Sequence, residues 1–393
     1  MDYINVYNDG YINACKNRYA RYKIKVELLD WYEFAIAEIT NDVSADSGKI
    51  NITNAQGTRR SCSLTLCNFD NKYNPNENSA FWIDRKFKLY LGIQSGSDTY
   101  WFSKGVYVTT NISTDLTGRI IEIDAADKFT ILSANENAQR FCGSVKIEMG
   151  EPFDEAIRGL LGLDIGNNRP IDPISPVIDT TLNTSTLPYD IIKDSDTSVG
   201  DMLTEFAEVM DADIFYDDDG HLVVQKSVVD DCVNRYEQFA SQWDFTKYNS
   251  FMSKPNLDIS HENIINTVIV TNDSSDSDLE SFYAVNDNPQ SPIRVSLIGT
   301  KAGEIVKTEM GYDEQRRKEY ANRLLQEHCL CTYTVTFESM ALPHMDVNRP
   351  VTITYEEYEY DHSIFVVQDC EFDFNTGLMS ISATELKWLP SYC

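Results

Sequence analysis

Six short runs in the first third of the chain, residues 33–40, 49–54, 60–67, 86–93, 99–109 and 119–124, show partial alternation of apolar and polar side chains. Each is broken by Asn, Asp, Gly or Ser. A period of two sends successive side chains to opposite faces of an extended backbone, so each run can bury one face and wet the other. Several such strands at close spacing suggest a sandwich or barrel for this region. The run opens at Lys23-Ile-Lys-Val-Glu-Leu-Leu, and residues 23–135 are read as a first β-barrel domain. Residues 1–22 are an N-terminal extension in which 11–22 has a short helical pattern.

The pattern changes near residue 150. Glu151-Pro-Phe-Asp-Glu-Ala-Ile-Arg-Gly-Leu-Leu-Gly has Pro152 suited to a first helical position and apolar residues at 153, 156, 157, 160 and 161, which predicts a helix. A Pro-, Thr- and Ser-rich passage with Pro170, Pro173, Pro176 and Pro188 follows. In Ser198 to Lys226, Val199, Met202, Leu203, Phe206 and Met210 fall on one helical face, and Ser198 with Asp201 reads as a capping pair. Ile214-Phe-Tyr and Leu222-Val-Val are strand-like and are joined by Asp217-Asp-Asp-Gly220, where Gly can take the positive φ of a tight hairpin. Residues 136–230 are read as an inserted α/β domain.

The last third, 231–393, is read as a second β-barrel domain carrying one inserted helix at 313–328. Asn263-Ile-Ile-Asn-Thr-Val-Ile-Val-Thr is a strand pattern, and Asn272-Asp-Ser-Ser-Asp-Ser-Asp a polar loop. The helix places Tyr320, Ala321, Leu324, Leu325 and His328 on one side and acids at its N-terminus, where the dipole favours them. Four strands follow, around 331–339, 350–357, 363–372 and 378–386, and Tyr355-Glu-Glu-Tyr-Glu-Tyr-Asp reads as a projecting turn. The fold class expected is mainly β, with two β-barrel domains flanking an α/β insertion.

Composition narrows the function classes. A formal net charge of -29 argues against a duplex-DNA or anionic-membrane surface, because counterion release needs clustered Lys and Arg. Only Arg59-Arg60 and Arg316-Arg317-Lys318 cluster. With 11% aromatic residues the acidity describes a solvated surface rather than disorder. No apolar stretch approaches the roughly 20 residues of a membrane helix, and Met1-Asp-Tyr-Ile-Asn-Val-Tyr lacks the regions of a signal peptide. Nine Cys, an odd number without a signal peptide, point to reduced thiols rather than a disulfide framework.

Patterns that carry chemistry fail on inspection. His261-Glu262 opens like a zinc-binding His-Glu-x-x-His, but position 265 is Ile. His328-Cys329-x-Cys331 reads as packing rather than a metal site. Asp217-Asp-Asp219-Gly220 resembles a calcium loop, yet an EF-hand frame needs an acid at 215 and a Glu at 226, where the chain has Phe215 and Lys226. No Gly-x-Ser-x-Gly, phosphate loop or dinucleotide Gly pattern occurs. A glycosidase stays open as the alternative, since its two carboxylates carry no fixed spacing and the chain has 62 Asp and Glu. Trp31-Tyr32, Tyr100-Trp101-Phe102 and Trp243 could stack on sugars, although core or subunit-contact use is the favoured reading. No catalytic, cofactor-binding or metal residue is singled out, and no cofactor is expected.

Several segments, taken in order, resemble the central hub proteins of phage tails and baseplates. Arg60-Ser-Cys-Ser-Leu-Thr-Leu-Cys-Asn-Phe-Asp-Asn-Lys-Tyr-Asn-Pro is similar to that family's strand running into a Leu-x-Asn-x-Asp-x-x-Tyr-x-Pro turn. Phe87-Lys-Leu-Tyr-Leu-Gly and Trp101-Phe-Ser-Lys-Gly-Val-Tyr-Val resemble its next two strands, and residues 198–226 its helix, strand, acidic turn and return. Asn263-Ile-Ile-Asn-Thr-Val-Ile-Val, Asn288-Pro-Gln-Ser-Pro-Ile, the helix at 313–328, Leu342-Pro343 and Val351-Thr-Ile-Thr resemble the closing half. Where the family carries Gly-Asp before that last strand, this chain has Asn348-Arg349-Pro350.

The resemblance implies a non-enzymatic structural role in the virion, assembled in the host cytoplasm. A homotrimeric ring would join the sixfold tail tube, or a distal tail protein, to the central spike or tip, with the tape-measure protein as a further neighbour. Two similar barrels per subunit would give six tube-like units around a channel for DNA. Neither sequence-specific nucleic-acid binding nor a stable membrane anchor is implied. Enzymatic hubs generally add a lysin domain, and Trp388-Leu-Pro-Ser-Tyr-Cys leaves no residues for one. The alternative from a different class is a carbohydrate-active or cell-wall-binding β protein.

Overall fold

The computed structural model describes residues 9–17, 20–74, 81–114, 119–133, 144–163, 169–182, 185–210, 212–226, 241–246, 253, 255–259, 264–272, 281–308, 314–330 and 333–385. The fold is mainly β. A helix, Asp9–Cys15, precedes β1 (Arg21–Leu29), β2 (Ala35–Glu38), β3 (Val43–Thr53), β4 (Arg60–Cys67), β5 (Lys86–Ser95), β6 (Asp98–Thr114) and β7 (Ile120–Asp127). Alternation explains them: in β7 Ile121, Ile123 and Ala125 are buried while Glu122 and Asp124 are exposed.

Beyond β7, β8 (Val145–Ile147), β9 (Val177–Ile178), β10 (Ile191–Lys193), β11 (Ala212–Tyr216) and β12 (Leu222–Lys226) form two small sheets. They share a core with the helices Phe153–Leu161 and Val199–Met210, in which Phe153, Ile157, Leu160, Leu203 and Phe206 are buried. The capping pair is reciprocal: Asp201 N donates to Ser198 Oγ at 3.1 Å and Ser198 N to Asp201 Oδ2 at 3.3 Å. That satisfies donors a helix start leaves unpaired, worth about 1 kcal/mol.

The remaining strands are β13 (Asp244–Thr246), β14 (Asn256–Asp258), β15 (Thr267–Asn272), β16 (Phe282–Val285), β17 (Ala302–Thr308), β18 (Thr334–Met340), β19 (Pro350–Tyr355), β20 (Tyr360–Asp373) and β21 (Leu378–Glu385). The helix Glu314–Leu330 does not sit on the large sheet. It packs Ala321, Leu325 and Cys329 against Val268, Val270 and Ala284, making a third core with the sheet β16-β15-β17.

The two β-rich thirds form one sheet of 13 strands rather than two closed barrels. Its path runs β14-β18-β21-β20-β3-β4-β7-β6-β5-β1-β2, with β19 and β13 joined at β20. The join is antiparallel between β3 and β20, with Asn51 opposite Glu371 and Ile52 opposite Cys370. Among the described residues the hydrogen-bonded path stays open, ending at β2 and β14. Alternation predicts which face of a strand is buried, but closure depends on which strands become neighbours, and one-face burial is compatible with both outcomes. A single core lies under the sheet, mixing Ile52, Leu64 and Phe87 with Phe337, Phe365 and Ile381. No described helix is long and apolar enough to cross a membrane, and Cys15, Cys62, Cys67, Cys329 and Cys370 are free thiols.

Before β19, Asn348 stands in a conformation that suits Gly and that Asn tolerates. Its φ is 55°, the left-handed region that Gly enters freely and Asn tolerates better than most residues. Its N–H reaches the Val367 carbonyl at 2.8 Å.

Candidate functional site

The acidic turn at Asp217–Gly220 lies against the large sheet. Gly220 has φ +89°, and a Cβ there would stand 2.6 Å from Val106 Cγ2, so both the turn and the contact require Gly. Ser103 Oγ donates to the Asp218 carbonyl, and Lys88 Nζ to Asp219 Oδ1 at 2.8 Å. Asp217 Oδ1 accepts from Asp219 N at 3.0 Å and His221 N at 2.8 Å, closing the turn on itself. Those contacts tie one carboxylate oxygen each of Asp217 and Asp219 into the turn and its sheet neighbours.

Beneath the turn lies a cluster of buried charge. Arg60, 2% exposed, places Nη2 at 3.0 and 2.9 Å from the two Asp346 carboxylate oxygens. Lys104 Nζ donates to the Met345 carbonyl at 2.7 Å and lies over the Phe372 ring. Burial acts against the Arg60 charge, but Asp346 and Asp218 outweigh it and hold the guanidinium above its ordinary pKa. Asp346 would be raised by burial, yet Arg60 and Lys104 bring it below the usual carboxylate value. Asp218 is pushed up to about 6 by burial and by Asp346. Asp127 is also pushed up to about 6 by burial, against the lowering pull of the Arg60, Arg59 and Phe129 backbone N–H groups.

A second limb continues from this cluster. Lys86 and Lys128 both reach Glu33 Oε1, at 3.0 and 2.6 Å, and Lys128 reaches Asp172 Oδ2 at 3.0 Å. Tyr216 OH donates to the same Asp172 oxygen at 2.6 Å. The chain Lys86–Glu33–Lys128–Asp172–Tyr216 therefore runs from the sheet into the helical region. Removing one partner of such a buried pair costs about 3–5 kcal/mol, whereas replacing both with apolar groups is often neutral or stabilising. Such a seam fixes geometry more than it adds stability.

The aromatics considered as sugar platforms are mostly committed to packing. Tyr100 and Phe102 pack against Tyr11 at ring distances of 5.7 and 4.9 Å, and Trp243 lies 5.8 Å from the His344 ring. Tyr11 OH donates to His344 Nδ1, and His344 Nε2 reaches the Gln242 carbonyl at 3.0 Å, so the N-terminal helix is pinned to both β-rich thirds. Lys86 sits over Trp31, and Trp101, which covers Gly92, is 39% exposed. A trough of about 670 Å³ opens on the outer face of the sheet, lined by residues that include Ser61, Thr336, Glu338, Asp369, Glu371 and Ser380. Among the described residues no Trp or Tyr lines it, and Glu371 is paired with Lys49.

His328 and Cys329 lie on the helix Glu314–Leu330, with Cys329 buried beside Asn286 Nδ2 at 3.2 Å. Cys331, His261 and Glu262 fall outside the described residues. Among the described residues no group of three His, Cys, Asp or Glu is placed to hold a metal. The sequence reading missed Arg60, Asp127 and Asp346. Parity offered a signal for two of them. Arg60 falls in the row of Cys62, Leu64 and Leu66, and Asp127 in that of Ile121, Ile123 and Ala125, so both are charges at core-facing positions.

No family model matches the chain, and no curated protein sequence does. Solved structures do. The tail protein from Neisseria meningitidis aligns at a TM-score of 0.62 and 11% identity, covering 94% of this chain and 98% of that one. The prophage MuSo2 43 kDa tail protein from Shewanella oneidensis gives 0.57 at 9% identity, covering 92% and 98%. Prophage tail protein gp18 from Listeria monocytogenes gives 0.54 at 14%, covering 92% and 94%. The chain has the fold of these phage tail proteins over nearly its whole length.

Proposed function

We propose that this chain is a structural protein of a phage tail, the hub of the baseplate or tail tip. The observation that carries the reading is the end-to-end correspondence with the Neisseria tail protein, whose fold covers 94% of this chain. Three copies form a ring that joins the sixfold tail tube, or a distal tail protein, to the central spike or tip. The tape-measure protein is a further neighbour. Residues 23–135 and 231–393 serve as two tube-like units and 136–230 as the insertion between them. The β3–β20 pairing supports this plan, because it holds the two units in one fixed relation. A net charge of -29 supports a wall that repels passing DNA.

Mass measurement of the purified protein, alone and with its tail-tube partner, tests the reading. A trimer, or a monomer that trimerises when the partner is added, is expected. Electron microscopy of assembled tails should place it between tube and tip. Hydrolysis of cell-wall glycan by the protein alone would overturn the assignment.

A further inference from the structure

We propose that the Asp217–Gly220 turn is an acid-tightened latch: one proton taken up by Asp218 strengthens its hold on the large sheet, and loss of that proton toward neutral pH loosens it. The inference is independent of the tail reading above and concerns how the helical region is attached to the sheet.

Three contacts pin the turn on either side of the Asp218 carboxylate. Ser103 Oγ donates to the Asp218 carbonyl, Lys88 Nζ holds Asp219, and Gly220 rests on Val106. Arg60 lies underneath, with Nε 3.5 Å from the carbonyl of Tyr216, two residues before Asp218. Yet the cations beneath the turn are committed elsewhere. Arg60 gives Nη2 to both oxygens of Asp346, and its buried Nη1 meets no hydrogen-bond partner among the described residues. Lys104 Nζ donates to the Met345 carbonyl. No donor among the described residues reaches the half-buried Asp218 carboxylate.

Of two neighbouring carboxylates, the one that accepts no hydrogen bond takes a proton first. Although burial raises Asp346, Arg60 and Lys104 bring it below the ordinary carboxylate value, so it keeps its charge. Asp218 is pushed up to about 6, first by burial and then by Asp346. The other groups around the turn are accounted for. Asp217 accepts the turn's own N–H groups and lies 3.5 Å from His221 Nδ1, and Asp219 is paired with Lys88. Glu33, close to Gly220, is tied to Lys86 and Lys128. Burial holds the Tyr107 phenol and the Cys370 thiol above their ordinary values, and both stay neutral. Asp127 accepts from the backbone of Arg59, Arg60 and Phe129 rather than from the turn.

Once the turn leaves the sheet, the Asp218 carboxyl returns to an ordinary value of about 3.9. The docked turn therefore gains from a proton that the free turn binds more weakly. That gain is complete below about 3.9 and is lost as pH rises through about 6. Between pH 7 and pH 5 the docking equilibrium should strengthen about tenfold.

Hydrogen exchange of the full chain, corrected for the intrinsic exchange rate, reads the latch at the Asp217, Asp219, Gly220 and His221 amides. Their protection should rise about tenfold from pH 7 to pH 5. Asp218→Asn is neutral throughout, so at pH 7 it should already show the protection that the parent reaches at pH 5, and change by less than about twofold between them. His221→Gln should keep the parent's rise. A parent whose turn shows no rise overturns the latch, however the variants behave. An Asp218→Asn chain that rises as the parent does, or a His221→Gln chain that does not, also overturns it, since either result moves the proton to another group.

Discussion

Under the sheet, Ile52, Leu64, Phe337, Phe365 and Ile381 meet one another without polar atoms to satisfy. At the seam with the helical region, Arg60, Lys128 and Asp172 are buried and Asp346 is largely so, and each must find a partner of opposite charge. Apolar contacts are non-directional, so the first set supplies stability and tolerates small shifts. Charged contacts repay desolvation only in good geometry, so the second set admits few relative placements of the two regions. The difference teaches that a chain of this fold gets its stability from one layer and its internal alignment from another.

The largest test of that contrast is Asp346→Ala, which leaves Arg60 and Lys104 buried without their carboxylate. A loss of about 3–5 kcal/mol is expected in denaturant unfolding. The pair replacement Arg60→Met with Asp346→Leu should recover most of it, while hydrogen exchange speeds up at the Asp217–Gly220 turn. If the double variant is as unstable as the single, the seam carries stability after all and the contrast fails.

Next in size is His344, the imidazole within the aromatic packing under the N-terminal helix, held down to about 3 by burial. The unfolded chain takes up this proton below about 6.5 and the folded chain only near 3. Stability from this group is therefore complete above 6.5 and lost as pH falls toward 3, by a few kcal/mol at most. Asp127 and Asp218, both raised to about 6, act in the opposite sense, since the fold favours their protonated forms. Between pH 7 and 4 the parent should lose more melting temperature than His344→Gln. Equal losses would remove His344 from the account.

A smaller effect is expected at Gly220→Ala, where positive φ and the Val106 contact together cost about 1–3 kcal/mol. Its signature should be loosening of the helical region, read by limited proteolysis, with the sheet intact. Least of all, Lys49→Ala breaks the exposed pair with Glu371 and should change stability by under about 1 kcal/mol.

Local periodicity explains what the sequence made legible. The runs at 60–67 and 378–386 became Arg60–Cys67 and Leu378–Glu385, because one-face burial writes itself into alternate residues. The reading at 49–54 missed the start of β3, which runs from Val43 to Thr53 and carries a register shift between Val43 and Gly48. Such a shift breaks the alternation that marks a strand. The partner of β3 was not legible either, since Asn51 and Glu371 meet through packing that spans the chain. The acidic turn was legible as a hairpin turn, but its surroundings were not. Nothing local to Asp217–Gly220 announces Lys88, Ser103 or Val106 as neighbours.

The β3–β20 pairing also has a consequence for biosynthesis. At about 5–20 residues per second, a ribosome that has delivered β3 needs on the order of tens of seconds to deliver its partner. During that interval β3 can pair with β4 on one side only, and its other edge waits for a partner of high contact order, the kind of pairing that forms slowly and recruits wrong neighbours. Yield should therefore respond to translation speed and chaperone supply more than to the final stability of the sheet.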